Sequence, residues 1–229
     1  MTTTPTCSVS VVLPCRNEAP TVARCVTDAL SWMRHRSIEG EVVVVDNAST
    51  DASAVRALRA GARVVQEPRP GYGVALRAGF AEARGAAIVM ADADATYDLT
   101  DLDDFYLPVG ADEADVVVGN RFAAPMLATA MSPLHYIGNR ALSALARVAT
   151  GTPVTDLHCG LRSFRAASME DLPRWSAGME FATHMLVHAH RSGLRISEAP
   201  VHLLPPHPDR RSHLRPVRDG FRHLWVLAR

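Results

Sequence analysis

Two carboxylates one residue apart, Asp92 and Asp94, follow the apolar run Ala87–Ala91. An interior strand ending in paired acids offers hard oxygen ligands of the kind that hold Mg²⁺ or Mn²⁺, with a phosphate helping to complete the shell. The bland alternative is that both acids cap the next turn. Two earlier apolar runs also end in polar residues: Val9–Pro14 leads into Cys15-Arg16-Asn17-Glu18, and Glu41–Asp46 into Asn47-Ala48-Ser49. Asp46 reads as a nucleoside contact at a strand end or as the cap of the next helix, a role open also to Ser49 and Asp51. Glu18 reads as pocket lining or as a favourable charge in the first turn of a helix. Gly71-Tyr72-Gly73 is either an ordinary turn or a place where backbone approaches a ligand closely.

Positioning these groups requires the elements around them. Apolar runs at 9–14, 41–46, 63–66, 87–91 and 115–119 alternate with helical patterns at 18–35, from Ser49-Thr50-Asp51, at 73–84 and at 101–107. Continuous apolar strands alternating with helices predict a parallel sheet covered on both faces, with ligands beyond the carboxyl ends of its strands. The second half reads as helix 134–150, strand 160–165, helix 179–192 and a strand over 195–204 interrupted by Pro200. Glu180 is either a capping acid or a general base near an acceptor. A phosphate acceptor is already anionic and needs no base, whereas a sugar hydroxyl does. His184 and His188 share a helical face, but no carboxylate at a suitable interval completes a metal set with His190, so they read as core or surface histidines.

The chain has 229 residues, 48% of them apolar, and zero formal charge. That suits one α/β domain and gives no basic surface for nucleic acid. All 24 basic residues are arginine. Without lysine, Schiff-base chemistry and a Walker-type phosphate loop are excluded, and any anion site must use guanidinium. Arg121, Arg140, Arg162, Arg210, Arg211 and Arg215 form the anion candidates, about half of which read as merely solvated. The four cysteines show no metal spacing and read as reduced thiols of a cytosolic protein. Neither a signal peptide nor an apolar run long enough to span a bilayer is evident. The tail Arg215–Arg229, with Phe221, Leu224, Trp225 and Val226, fits an anionic membrane surface or a helix packed on the domain.

Val11-Val12-Leu13-Pro14-Cys15-Arg16-Asn17-Glu18, Val44-Val45-Asp46-Asn47-Ala48-Ser49-Thr50-Asp51, the segment from Gly71 to Phe80, and Asp92-Ala93-Asp94 together resemble family-2 glycosyltransferases of the GT-A fold. Ala114 to Arg121, His135 to Asn139 and Asp156 to Arg162 are similar to the branch containing dolichyl- and polyprenyl-phosphate hexose synthases. The resemblance covers nearly the whole chain in order. It implies a single GT-A domain over 1–229, a mostly parallel sheet flanked by helices. About 1–120 would form the nucleotide-sugar half, and about 121–229 the acceptor half with its basic tail.

By the same resemblance, Pro14, Arg16, Glu18 and Gly73 line the donor pocket and Asp46 contacts base or ribose. Asp92 and Ala93 lie against the ribose-phosphate, while Asp94, with Asp92, ligates Mg²⁺ or Mn²⁺. Thr96 stands where polyprenyl-phosphate mannosyl enzymes often carry a glutamine ligand. Arg210 and Arg211 belong to a loop closing over the diphosphate. Arg121 faces the acceptor or the transferring sugar, and His135, Asn139, Arg140 and Arg162 lie near the acceptor.

The implied activity is metal-dependent, inverting sugar transfer from a UDP- or GDP-linked donor to a polyprenyl phosphate. It would take place in the cytoplasm, at the inner membrane face, with self-association left open. Many relatives continue into membrane helices and this sequence reaches Arg229 without one. A soluble hydroxyl acceptor, with Glu180 as base, is therefore the alternative. A nucleotidyltransferase would normally show a G-x-G-T-R loop and a lysine, and both are missing; a non-catalytic nucleotide-sugar-binding protein leaves Asp94 without a task.

Overall fold

The computed structural model describes residues 7–123, 133–169 (backbone alone for 133–135) and 176–208. Its strands are β1 (Cys7–Cys15), β2 (Gly40–Asp46), β3 (Arg63–Gln66), β4 (Gly85–Met90), β5 (Val116–Asn120), β6 (Arg162–Arg165) and β7 (Ile196–Pro200). The helices are α1 (Val22–Arg36), α2 (Ser53–Arg59), α3 (Tyr72–Glu82), α4 (Asp103–Gly110), α5 (Pro133–Thr150) and α6 (Phe181–Arg191). All seven strands join one sheet in the order β3-β2-β1-β4-β6-β5-β7. The predicted α/β architecture is correct: β1 to β4 are parallel, and only β6, antiparallel to both β4 and β5, breaks the pattern.

Side-chain alternation along each strand sends successive residues to opposite faces. Val9, Val11 and Leu13 pack with Val22, Val26, Trp32 and Phe105 on one side. Val12, Val43 and Met90 pack with Leu76, Phe164, Phe181 and Met185 on the other. Helix α3 lies close against the sheet because Gly79 has no Cβ: one built there would stand 2.4 Å from Cγ1 of Val12.

Some boundaries differ from expectation for local reasons. Helix α1 begins at Val22, because Asn17 adopts a left-handed conformation (φ 55°) and residues 18–21 turn before the helix. Glu18 thus precedes the first turn instead of sitting in it. Helix α2 begins at Ser53, after Ser49 and Asp51 have been used to lace loops together. β7 ends at Pro200, and Leu203 returns as an isolated bridge to Tyr97.

Candidate active site

The register decides which residues meet. Cys15 is paired with Asp46, and Val12 with Met90, so the loops after β1, β2 and β4 leave the sheet side by side. The ladder continues past the strand ends through Asn47 N–H to Cys15 O (2.8 Å) and Ala91 N–H to Val12 O (3.2 Å). Because β6 runs backwards, its approach segment 156–161 reaches the same edge, and β5 delivers Asn120 and Arg121 there.

The loops are tied by side chains. Asn17 accepts from the Thr50 N–H at 2.7 Å, and its own N–H donates to Ser49 Oγ at 3.0 Å. Asn47 clamps the approach to α3: its Nδ2 donates to Glu67 O (3.0 Å) and Arg69 O (2.8 Å), and its Oδ1 accepts the Gly71 N–H at 2.8 Å. Three non-glycine residues on these loops hold positive φ: Asn17 at 55°, Ala48 at 59° and Ala95 at 58°. Such geometry costs about 1–2 kcal/mol per L-residue, and its recurrence after β1, β2 and β4 marks loops whose shape is fixed by their surroundings.

Asp94 is buried; its Oδ1 accepts from Thr96 N–H (2.9 Å) and Thr96 Oγ–H (2.6 Å). Thr96, at the position of the expected glutamine, thus orients Asp94. Ala93 is buried, and its carbonyl accepts from Thr21 Oγ at 2.8 Å. Asp92, half-buried at the rim, accepts from the Tyr72 hydroxyl at 3.1 Å. Burial first, then the negative charge of Asp92, raise the Tyr72 phenol well above its ordinary range, so it stays a donor. Gly160 lies against the same carboxylate: a Cβ there would stand 2.5 Å from Asp92 Oδ2. The Gly160 N–H is in turn held by the Tyr97 hydroxyl at 2.8 Å.

Pro14 is half-buried and Arg16 exposed at the mouth, with Glu18 and Asp46 buried behind them. Asp46 Oδ1 accepts the Ser49 N–H at 3.1 Å, which closes the turn after β2; α2 starts only at Ser53 and has no side-chain cap, so Asp46 does not cap it. Gly73 is buried where its N–H meets Ala177 O at 3.0 Å, joining the start of α3 to the loop before α6. Glu180, in that region, accepts the Gly178 N–H through Oε1 at 2.9 Å. Ser176 Oγ and His184 Nδ1 are 2.6 Å apart.

Two arginines are placed differently from expectation. Arg162 is fully buried, its guanidinium donating to Cys159 O (2.9 Å), Leu157 O (2.7 Å) and Ala182 O. It is an internal strut between β6 and α6, not a contact for an incoming acceptor. Arg121 is also buried, in a two-point pair with Asp156 (Nε–Oδ2 2.6 Å, Nη2–Oδ1 2.7 Å), and Asp156 additionally accepts the Arg121 backbone N–H at 3.1 Å. Burial alone would raise the Asp156 carboxyl; the hydrogen bonds and charge of Arg121 outweigh it and hold the carboxyl below its ordinary value. Arg140 is exposed on α5, donating to the Tyr136 hydroxyl at 3.1 Å and lying 5.4 Å from the Phe122 ring centre. Asn139 is half-buried on the same helix. The His135 side chain, Arg210, Arg211 and the tail lie outside the described residues.

Sequence reasoning did not single out Tyr72, Asn47, Asp156 or Glu198. Glu198 accepts from Thr155 N–H (2.7 Å), Asp156 N–H (3.1 Å) and Asn120 Nδ2 (3.2 Å), and so holds the Asp156 segment beside β5. Asp156 sits in the same short motif as Arg162, and an acid there was the readable signal. The cysteines are free, as expected; burial pushes the thiols of Cys15 and Cys25 up to about 12 and that of Cys159 to about 11. Among the described residues no group of three or more His, Cys, Asp or Glu side chains is placed to hold a metal.

The family model described as Glycosyl transferase family 2 matches residues 10–172. The Low-salt glycan biosynthesis hexosyltransferase Agl6 of Haloferax volcanii is 36% identical over 221 residues, covering 96% of this chain and 53% of that protein. The chain therefore spans about half the length of that relative. A Dolichyl-phosphate hexose transferase of the same organism is 31% identical over 193 residues, 84% of this chain and 81% of that one. Among solved structures, glucosyl-3-phosphoglycerate synthase of Mycobacterium tuberculosis with Mn²⁺, UDP-glucose and phosphoglyceric acid superposes with a TM-score of 0.74 at 25% identity, covering 97% of this chain and 78% of that one. The chain belongs to glycosyl transferase family 2 and is a glycosyltransferase, with the GT-A fold of its structural neighbours.

Proposed function

We propose that the chain transfers a hexosyl group, with inversion, from a nucleotide-diphosphate sugar to a polyprenyl phosphate, using Mg²⁺ or Mn²⁺ held at Asp92 and Asp94. The observation that carries this reading is the placement of Asp94 and Asp92 at the shared edge of β1, β2 and β4, each oriented by a hydroxyl donor. Two carboxylates fit a hard cation of this type, which is commonly held by one or two carboxylates plus substrate phosphates; a third protein ligand is not required. When bound, the cation neutralises charge building on the departing nucleoside diphosphate.

The chain's own residues supply the rest. Pro14, Arg16, Glu18, Asp46 and Gly73 frame the nucleoside side, and Ala93 presents backbone to the ribose-phosphate. Arg121 is assigned a positioning role through its pair with Asp156: it shapes the wall towards the acceptor without offering a free guanidinium. Asn139 and Arg140 on α5 are the acceptor-side candidates. Arg210 and Arg211, outside the described residues, are assigned to the donor diphosphate. A phosphate nucleophile needs no proton removed, so Glu180 is assigned to holding the loop at Gly178.

Support for a lipid phosphate comes from the dolichyl-phosphate hexose transferase relative. A second reading, a small phosphorylated acceptor whose hydroxyl is deprotonated by Glu180, is favoured by the superposed enzyme that binds phosphoglyceric acid. The test is a panel of UDP- and GDP-sugars with Mn²⁺, offered undecaprenyl phosphate or phosphoglyceric acid. Hexose found in the lipid fraction supports the first reading. Transfer confined to the soluble acid, lost in Glu180→Gln, replaces it with the second.

A further inference from the structure

Helix α5 turns several of its larger apolar side chains outward. Among its described side chains the fully buried ones are small, Ser143 and Ala146, with Leu142 half-buried. Three larger apolar ones point away: Ile137 is 65% exposed, Leu145 49% and Val148 83%. With Ala141 and Ala144, also exposed, they recur at i, i+4, i+7, i+8 and i+11, one stripe of an α-helix, on the side opposite Ser143 and Ala146. Exposed Arg140 and Arg147 run along one border of the stripe, and the helix carries no Asp or Glu.

We propose that this stripe docks on the surface of an anionic phospholipid bilayer. An apolar face bordered by arginines, on a helix of 18 residues, has the composition of an element lying in the plane of the headgroups. The guanidinium groups of Arg140 and Arg147 meet lipid phosphates while Ile137, Leu145 and Val148 enter the acyl boundary. Spanning is not involved, since no described helix is long and apolar enough to cross a membrane. Charge disfavours an antiparallel second copy as occupant. Antiparallel pairing of two such helices through the stripe sets the arginine border of one against that of the other, with no acid on either to compensate. The inference goes beyond the acceptor assignment, because the bilayer need not contain the acceptor.

The test is co-sedimentation of the full chain with vesicles of phosphatidylcholine, with and without phosphatidylglycerol and free of polyprenyl phosphate, alongside light scattering. The wild type should partition onto the phosphatidylglycerol vesicles and be released by added salt. The double variant Ile137→Ser, Val148→Ser, altered only at exposed positions, should lose about ten-fold or more in partition with an unchanged circular dichroism spectrum. Equal partition of variant and wild type, or no wild-type binding to anionic vesicles, overturns the proposal. So does a dimer that the variant dissolves while vesicles bind neither protein. Because the vesicles lack any acceptor, each of these results leaves the glycosyl-transfer reading untouched.

Discussion

Replacing Asp156 by asparagine should be among the most damaging single changes outside the hydrophobic core. Its carboxylate takes two short charge-assisted bonds from Arg121 and a third from the Arg121 backbone, all in a buried setting. Asparagine is nearly the same size but removes the negative charge and turns one oxygen into a donor facing a guanidinium. Leaving one member of a buried pair uncompensated typically costs about 3–5 kcal/mol. For a chain of this length each kcal/mol moves Tm by about 2–4 °C, so thermal unfolding should shift down by roughly 6–20 °C. The double variant Arg121→Met, Asp156→Leu should recover much of that loss, since replacing both charges with apolar groups is often close to neutral. Activity need not recover with it: a folded but inactive double variant assigns the pair to the site as well as to the fold. A Tm loss under about 2 °C for Asp156→Asn would mean that water reaches the pair and screens it, and that the pair does not act as a buried one.

The same pair sets a pH dependence. The folded-state value of Asp156 lies below its ordinary 3.8, so its contribution is complete above that value and is lost as pH falls through the lower, folded one; acid unfolding of Asp156→Asn should therefore show a shallower final limb. His184, which burial and then the positive charges of His188 and Arg191 lower to about 4 from 6.5, is neutral in the fold, so its contribution declines as pH drops from about 6.5 to about 4. An imidazole titrating by NMR near 6.5 in the folded protein would contradict that placement. Tyr72→Phe removes the hydroxyl from Asp92; it should weaken Mn²⁺ binding by about 10–100-fold while leaving Tm within a few degrees, and calorimetry showing unchanged affinity would dismiss a role for Tyr72 in positioning Asp92. Ala48→Gly should be tolerated at its φ of 59°, whereas Ala48→Val should lose about 1–3 kcal/mol by thermal unfolding; equal stability of the two would show that the loop shape is not imposed.

The first half of the fold was legible because its strands are short valine-rich runs bounded by turn residues, and their carboxyl ends carry the polar groups. The reversal of β6 was not. The strand over 160–165 was readable with Arg162 as an anion candidate, yet Arg162, Ser163 and Phe164 are buried, and what makes that tolerable is a set of carbonyls at 157, 159 and 182. A guanidinium in a sequence invites an anion partner; three backbone oxygens brought together by the fold satisfied this one instead. The partnership of Arg121 with Asp156 spans 35 residues and depends on β5 and the approach to β6 meeting at one edge, which spacing alone does not encode. At the donor side the reverse held: Asp92, Ala93 and Asp94 sit next to each other in the chain, so their convergence needed only the end of β4.

The proposed function stands or falls on Asp94 and Asp92 gripping a divalent cation beside a nucleoside diphosphate. Calorimetric titration of UDP and of GDP into the wild type and into Asp94→Asn, each with and without Mn²⁺, tests it most directly. Wild-type protein should bind one of the two nucleotides markedly more tightly with Mn²⁺, and an Asp94→Asn protein that melts normally should lose that dependence. Nucleotide affinity that ignores Mn²⁺ in the wild type, or an Asp94→Asn protein that keeps the full enhancement, would contradict it.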